Sequence, residues 1–243
     1  MNVDVIFTPL GAEPSRIEGR SVVVIDVFRA TSCICTALEN GASRIIALST
    51  VEQCVEMRTK LALNDSMKVL LGGERKMVKI DGFDLDNSPA SYSREVVEGA
   101  TIIMSTTNGT RSIELSVNGG AKNVLVGSMF NARAVAARLL ELGDDVVIFC
   151  AGRQDRFSVE DTLCAGYIAT LLSEMGGVEL RDVAWWVADS YRNNIDKEGE
   201  LMLRNSHYLR MTEIGIQSDA LHCLERDIYD SVPHLDNGVL TIK

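Results

Sequence analysis

Short apolar runs recur along the chain and predict the strands of a buried sheet. The runs are rich in valine and isoleucine and cover residues 3–7, 21–27, 43–48, 68–71, 101–104, 122–127 and 145–150. Most of them do not alternate apolar with polar residues, which is the pattern of strands that are buried on both faces. They therefore predict a sheet that is covered by helices.

Amphipathic helical patterns lie between several of these runs, at residues 30–40, 51–63 and 131–142 and from residue 158 onward. Strands that take turns with helices predict an α/β fold with three layers, α/β/α, around a mostly parallel or mixed sheet. From about residue 178 the pattern is mostly helical, and "WWVADSY" (185–191) fits either a helix or a strand. With four prolines, no repeat and no evident linker, residues 1–243 are predicted to form a single domain.

The segment "STTNGTR" (105–111) follows one apolar run and has two incompatible interpretations. In the first, Asn108 and Gly109 form the tight turn of a β-hairpin, and the residues after them return as a strand. In the second, hydroxyl and backbone N–H groups of residues 106–110 collect at the start of a helix, whose positive end attracts phosphate. The local sequence alone leaves both open.

Composition limits the partners of this protein. The 34 acidic residues exceed the 24 basic ones and give a net charge of -10, which disfavours broad contact with nucleic acid or an anionic membrane. No apolar run approaches the roughly 20 residues of a membrane span, and the N-terminus lacks the features of a signal peptide. We therefore expect a soluble cytoplasmic protein, in which a few local arginines could still hold a small anion.

The positions of the cysteines and histidines limit the metal sites and catalytic mechanisms that this chain can support. The six cysteines form no CxxC pair and have mostly apolar neighbours, so we expect reduced core residues. All three histidines fall in the last forty residues, which leaves little material for a histidine-rich zinc centre or a histidine phosphoenzyme. A metal, if used, would have oxygen ligands, which favours Mg²⁺.

Polar residues follow the predicted strands, at the edge where open α/β sheets bind ligands. They are Asp26, Arg29 and Thr31 after the second run, Glu74 and Arg75 after the fourth, residues 105–111 after the fifth, Asn131 after the sixth, and Arg153, Glu160 and Asp161 after the seventh. Each has an ordinary alternative as a helix cap or a surface ion pair. Five loops that all carry such groups favour a shared site.

The mixture of side chains indicates phosphoryl chemistry. The carboxylates of Asp26, Glu74 and Asp161 suit Mg²⁺, and arginines with the amides of residues 106–110 suit a phosphoryl group. The chain has neither a GxxxxGK[ST] nor a GxGxxG motif, so P-loop and dinucleotide enzymes are disfavoured. Asp26 lacks the second aspartate of haloacid-dehalogenase phosphatases. A metal-assisted phosphatase of another type is left.

Several blocks occur together in order along nearly the whole chain, among them "DVFRAT", "GGER", "STTNGTR", "GSMFNARAVA", "CAGRQDRFSVEDTLCAG" and the tail from "SHYLRMTEIG". In combination they resemble the 2-phosphosulfolactate phosphatases. The resemblance implies a Mg²⁺-dependent phosphatase that converts 2-phospho-3-sulfolactate to 3-sulfolactate, a step toward coenzyme M. It also favours the phosphate-binding turn, because a hairpin would carry residues 106–110 away from Asp26 and Asn131. Ile113 and Val117 would then share the buried face of the following helix.

The predicted site has three groups of residues. Asp26, Glu74 and Asp161 would hold Mg²⁺, and Asp26, Arg29 and Asp161 would be catalytic, with Asp26 either a ligand or a nucleophile. The substrate would contact Arg75, Thr106, Thr107, Asn108, Gly109, Thr110, Arg111, Asn131 and Arg153, of which Arg111 or Arg153 would recognise the carboxylate and sulfonate. A non-catalytic module that binds a small phosphorylated or sulfonated acid is the alternative. The pair Trp185-Trp186 fits a core position or a subunit contact, so a homo-oligomer stays open.

Overall fold

The chain forms a mixed β-sheet with helices on both faces in a computed structural model, which describes residues 1–63 and 67–242. The strands in this part of the chain are β1 (Asn2–Ile6), β2 (Ser21–Ile25), β3 (Arg44–Ala47), β4 (Val69–Arg75), β5 (Val78–Lys79), β6 (Thr101–Ser105), β7 (Asn123–Gly127), β8 (Val146–Cys150), β9 (Glu179–Leu180), β10 (His234–Asp236) and β11 (Val239–Thr241). Every predicted run lies on one of them, so the predicted strands are confirmed.

The helices match the predicted amphipathic segments. The described residues contain α1 (Pro14–Ile17), α2 (Ala30–Glu39), α3 (Val51–Leu61), α4 (Arg94–Val97), α5 (Gly109–Asn118), α6 (Ala132–Leu142), α7 (Val159–Met175), α8 (Asp182–Asn194), α9 (Glu198–Met202), α10 (Ser206–Glu213) and α11 (Gln217–Cys223). The segment 185–191 lies in α8, which decides between helix and strand. None of the helices in the described ranges has the length and apolar character that crossing a membrane requires.

The sheet has the strand order β5-β4-β6-β3-β11-β10-β7-β2-β8-β1-β9. Parallel pairs join β4, β6 and β3 on one side and β7, β2, β8, β1 and β9 on the other. The antiparallel hairpin β10–β11 lies between these two groups, so the C-terminal third is not helical throughout. Its turn residues Asn237 and Gly238 have φ angles of 47° and 80°, as a tight hairpin turn requires.

Strand β2 shows why the sheet is covered on both faces. Its residues Val23 and Ile25 pack into a core cluster with side chains of α6, α7 and α8. Val22 and Val24 point the other way, into a cluster with residues of α2. All five residues of the strand are buried, so the unbroken apolar run reflects two cores and not one, and the three-layer prediction is confirmed.

Helix α5 decides between the two interpretations of residues 105–111. The helix starts at Gly109, directly after Asn108, so the segment is a strand-to-helix turn and the hairpin alternative is wrong. One detail of the prediction also fails: Ile113 is buried, whereas Val117 is 49% exposed. The buried face of α5 instead carries Gly109, Ser112, Ile113 and Ser116, and Val117 lies to the side of that stripe.

Two further predictions concern the cysteines and the tryptophan pair. All six cysteines are free and buried, as expected of small apolar core residues. Trp185 and Trp186 are 56% and 51% exposed, so they do not belong to the core. Because both tryptophans lie on the surface, a contact with another subunit stays a prediction.

Candidate active site

A cavity of about 240 Å³ opens beside the carboxyl ends of four strands. Its wall is formed by Asp26, Phe28, Arg29, Glu74, Lys76, Met77, Asn87, Thr107, Asn108, Arg153, Gln154, His207 and Arg210. These residues include the loops after β2, β4, β6 and β8, four of the five loops that the sequence predicted to meet. The volume is below the roughly 300–1,000 Å³ of sites for drug-sized ligands and suits a small acid.

Asp26 lies at the start of two helices. Its N–H donates to Thr31 Oγ1 at 3.0 Å, and its carbonyl oxygen accepts from the N–H of Thr31 at 3.0 Å. Gly109 approaches from α5 so closely that a Cβ atom there would lie 3.0 Å from Asp26 Oδ2 and 2.8 Å from Ala30 Cβ. Glycine at 109 therefore lets the start of α5 lie against the carboxylate.

The electrostatic environment of Asp26 is unusual for an aspartate. Burial raises the pKa of Asp26 to about 7, with the neighbouring carboxylates of Glu74 and Glu160 adding to the rise and His207 opposing it. A carboxylate in this position gains from a nearby cation, because positive charge offsets both burial and the like charges.

Glu74 connects two of the loops that line the cavity. Its Oε1 atom accepts from the N–H of Thr107 at 2.9 Å and from the Thr107 hydroxyl at 2.7 Å. Its Oε2 atom accepts from the N–H of Met77 at 2.8 Å. The carboxylate is thereby held in one orientation at the wall of the cavity, which Asp26 also lines.

Asp161 occupies a different position from the other two predicted ligands. It is buried but does not line the cavity. Its Oδ1 accepts from the N–H of Val27 at 2.8 Å and its Oδ2 from the N–H of Gly152 at 3.0 Å. Burial, with the charges of Glu160 and Asp26, raises the pKa of Asp161. Both of its oxygens thus support the loops after β2 and β8.

The predicted set of three metal-binding carboxylates is therefore not assembled. In the described ranges, no three His, Cys, Asp or Glu side chains come together as a group that could hold a metal ion. Asp26 and Glu74 share the cavity, while Asp161 has been drawn into backbone hydrogen bonds. The physical reason is that residues 27 and 152 leave strands β2 and β8 with N–H groups that need acceptors.

Two of the four hydroxyl groups in the turn at 105–111, those of Thr106 and Thr110, form hydrogen bonds within the turn. Thr106 Oγ1 accepts from the N–H of Thr110 at 3.3 Å, and Thr110 Oγ1 donates to the carbonyl oxygen of Thr106 at 3.0 Å. Both threonines are buried away from the cavity, whereas Thr107 and Asn108 line it. The anion-binding capacity of the turn therefore rests on Asn108 and on the first N–H groups of α5, which have no partner within the helix.

Arg29 and Arg153 both line the cavity, as the sequence predicted. Arg29 is almost fully buried and forms an ion pair with Asp219, whose other oxygen accepts from Ser88 Oγ at 2.9 Å. Asp219 belongs to α11, so a helix far along the chain orients an arginine from the loop after β2.

Arg75 and Arg111 have other partners. Arg75 donates to the carbonyl oxygen of Glu74 at 2.7 Å and to Ser105 Oγ at 2.8 Å, which turns its guanidinium away from the cavity. Arg111 forms a half-exposed ion pair with Asp155 at 2.8 Å. Nothing in these placements supports the predicted contacts of either arginine with substrate.

Asn131 is a buried structural residue in this fold. Its Oδ1 accepts from the N–H of Ser128 at 2.9 Å, and its Nδ2 donates to the carbonyl oxygens of Val126 and Ser231 at 3.3 and 3.1 Å. These bonds close the start of α6 against β7 and the C-terminal segment. The side chain does not reach the cavity, which differs from the predicted substrate contact.

One histidine in the cavity wall was not predicted from the sequence. His207, at the start of α10, lines the cavity, and its Nδ1 lies 2.7 Å from Oε1 of the buried Glu160. Asn205 Nδ2 donates to Glu160 Oε2 at 2.7 Å. Burial alone would raise the pKa of Glu160, but the hydrogen bond and charge of His207 lower it overall, so the carboxylate is ionised and Nδ1 is the donor.

No local pattern indicates this histidine, because Glu160 and His207 are separated by 47 positions. Lys76 and Arg210 were missed as well; both add positive charge to the cavity wall. The only signal was that the block containing His207 belongs to the tail that resembles the phosphatase family.

Comparison with known proteins agrees with that resemblance. Residues 6–238 match the family model described as 2-phosphosulpholactate phosphatase. The chain is 40% identical over 242 residues to a protein of Clostridium beijerinckii, covering 99% of both chains. It is 40% identical to a protein of Clostridium acetobutylicum, covering 98% of this chain and 99% of that one. It is 42% identical to a protein of Clostridium botulinum, covering 97% of both. Each relative is named "Probable 2-phosphosulfolactate phosphatase".

Proposed function

Because this chain belongs to the 2-phosphosulfolactate phosphatase family, we propose that it hydrolyses 2-phospho-3-sulfolactate, or a closely related small phosphorylated acid, to 3-sulfolactate and phosphate. The chain is thus a phosphoric monoester hydrolase. The observation that carries the proposal is the small cavity in which two carboxylates, Asp26 and Glu74, lie among four cationic side chains. The cations are Arg29, Lys76, Arg153 and Arg210.

The charge of the cavity fits the charge of the substrate. A molecule with phosphate, carboxylate and sulfonate groups is highly anionic, and it would be repelled by a protein of net charge -10 without local positive groups. Arg29 belongs to the same loop as Asp26, so we assign it to the phosphoryl group together with Asn108 and the start of α5. Arg153 and Arg210 are then left for the carboxylate and the sulfonate.

The donor set also fits Mg²⁺. This ion commonly uses one or two protein carboxylates and takes its other ligands from water and substrate phosphate. Asp26 and Glu74 would hold it, and the raised pKa of Asp26 indicates a place where a cation is favourable. When bound, Mg²⁺ would neutralise charge on the phosphoryl oxygens.

Asp26 is the residue to which we assign the central chemical role. It is either the nucleophile that accepts the phosphoryl group or a ligand beside which water attacks. The two routes differ in a measurable intermediate. With substrate labelled on phosphorus and a rapid acid quench, a nucleophilic Asp26 leaves label on the protein that hydroxylamine removes. Direct attack by water leaves the protein unlabelled.

A substrate panel tests the function itself. The purified protein is incubated with 2-phospho-3-sulfolactate, related small phosphorylated acids and p-nitrophenyl phosphate, each with Mg²⁺ or with excess chelator, and released phosphate is measured. We expect the highest kcat/KM for the sulfonated substrate and loss of turnover with chelator. Binding without phosphate release would instead support the non-catalytic module, and full activity in chelator would remove the metal from the proposal.

The setting of the reaction is part of the same proposal. In a pathway toward coenzyme M, the reaction would supply the small sulfonated product 3-sulfolactate. In organisms without that pathway, it would supply a similar small sulfonated acid. A cytoplasmic location suits the six buried and unpaired thiols.

A further inference from the structure

We propose that His207 is the general acid that protonates the leaving oxygen of the substrate, and that Glu160 and Asn205 orient its imidazole for this step. The proposal rests on the phosphatase function above and adds a catalytic residue to it. Its basis is a histidine that lies in the wall of the same cavity as Asp26 and whose inner ring nitrogen is hydrogen-bonded to a buried carboxylate.

Glu160 and Asn205 hold the ring from behind. Glu160 lies in the first turn of α7 and is 2% exposed. Asn205 is the N-cap of α10: its Oδ1 accepts from the N–H groups of His207 and Tyr208 at 2.8 and 3.2 Å. The same side chain donates to Glu160 through Nδ2 at 2.7 Å. One asparagine thus joins the carboxylate to the helix that carries the histidine.

The ring is also packed on its side, and only one nitrogen remains for the substrate. Phe28 contacts the imidazole in an edge-to-face arrangement, with ring centroids 5.6 Å apart. Since Nδ1 donates to Glu160, Nε2 is the nitrogen available for proton transfer. Within residues 1–63 and 67–242, Nε2 of His207 takes part in no hydrogen bond. A carboxylate that fixes one nitrogen and leaves the other for chemistry is the arrangement that general acid–base catalysis requires.

The chemistry of the substrate explains why an acid is needed. When the phosphoryl group leaves a secondary alcohol, the bond between phosphorus and the carbon-linked oxygen breaks and its electron pair stays on that oxygen. The Nε2 proton joins the oxygen and produces the product hydroxyl, while phosphorus gains a bond to the attacking oxygen. The water that ends on phosphate returns a proton to the imidazole. The sum is phosphate ester plus water giving alcohol plus hydrogen phosphate.

Other groups around the cavity are less suited to this step. Asp26 is assigned to the attack or to the metal, and Glu74 is held by Thr107 and Met77. The arginines retain their protons at any physiological pH and serve the anionic groups. The titratable and charged groups that surround His207 in the cavity and behind it are Asp26, Glu74, Glu160, Arg29, Lys76, Arg153 and Arg210.

The test compares two leaving groups in one variant. H207Q is assayed with the alkyl ester 2-phospho-3-sulfolactate and with p-nitrophenyl phosphate, whose nitrophenolate leaves without help from an acid. We expect kcat for the alkyl ester to fall about 10²- to 10⁴-fold and kcat for the aryl ester to change less than about tenfold. H222Q is the matched control, because His222 also bonds a glutamate through Nδ1 at 2.8 Å but is exposed and outside the cavity. It should leave both rates unchanged.

A second variant keeps the proposal testable if H207Q does not fold. Glu160→Gln keeps the size of the side chain and removes the charge that orients the ring, so it should show the same preference for the aryl ester to a smaller extent. Equal losses on both esters in H207Q, or no loss on either, would overturn the proposal; if H207Q does not fold, equal losses in Glu160→Gln would do so. A wild-type protein that hydrolyses neither ester refutes the phosphatase function itself, which separates the two failures.

Discussion

Replacing Asp26 by asparagine should abolish turnover and, at neutral to alkaline pH, make the folded protein more stable. The two effects share one cause, because the side chain is a carboxylate placed where the fold disfavours its charge. Asparagine keeps the shape of the side chain, but it has no negative charge to act as ligand or nucleophile. A residue retained for stability alone would not behave in this way.

The size of the effect follows from the pKa. Burial and neighbouring carboxylates raise the pKa of Asp26 from 3.8 to about 7, a difference of about 3 units, and each unit corresponds to about 1.4 kcal/mol. The folded state binds the proton more tightly than the unfolded state, so the free energy of unfolding falls as pH rises from about 4 to 7. Above pH 7 the cost is fully present and amounts to at most about 4 kcal/mol. An amide nitrogen without a partner offsets about 1–3 kcal/mol of this, so we expect a net gain of about 1–3 kcal/mol.

Urea unfolding measures the difference directly. Wild type and D26N are unfolded in chelator at about pH 4 and about pH 8, and the free energies of unfolding are compared. The variant should exceed wild type at the higher pH and lose this advantage at the lower one. Addition of Mg²⁺ at pH 8 should stabilise wild type more than the variant, because binding to the folded state adds stability. Asp155→Asn, in a half-exposed ion pair, is the control and should change little under either condition.

Two results would refute this reasoning. Destabilisation of similar size at both pH values would mean that Asp26 serves the fold through its hydrogen bonds and carries no electrostatic cost. Turnover in D26N close to that of wild type would remove Asp26 from the chemistry, whatever its effect on stability.

Two further variants test the walls of the cavity. Gly109→Ala places a Cβ atom 3.0 Å or less from the reacting carboxylate and from α2, so it should cost about 1–3 kcal/mol in thermal unfolding and lower kcat. Gly199→Ala, where no atom lies within 4 Å of the added Cβ, should be neutral or slightly stabilising, and equal behaviour of the two would contradict the packing argument. Asp219→Asn leaves the buried Arg29 without its carboxylate, and we expect KM to rise at least about tenfold, the counterpart of about 1.4 kcal/mol in binding. Asp155→Asn should leave KM unchanged, and an unchanged KM in both would show that the Arg29 ion pair does not prepare the site.

The secondary structure was largely readable from the sequence because its signals are local. The run Val22–Ile25 is apolar throughout, which is typical of a strand that lies between two layers of helices. The helix Val159–Met175 is likewise preceded by Ser158, which caps it by accepting a hydrogen bond from the N–H of Asp161. Asn-Gly pairs were harder to interpret. The pair at 108–109 begins a helix, while the pair at 237–238 turns a hairpin inside the sheet.

The candidate site was readable only in part. The loops that end β2, β4, β6 and β8 were expected to meet, because strand ends of an α/β sheet are where polar side chains gather. The sequence could not say which way each side chain points. Asp161 and Arg75 both lie next to the site, but their side chains form hydrogen bonds with backbone groups that need partners.

The sequence by itself determined the layers of the fold and the family to which the chain belongs. Tertiary structure alone decided that His207, on a helix of the C-terminal third, reaches Glu160 and enters the cavity. It also decided that Asp219 holds Arg29 across 190 positions of chain. Patterns of apolar residues report which face of an element is buried, whereas a contact between distant polar groups depends on how whole elements pack, and no local pattern carries that information.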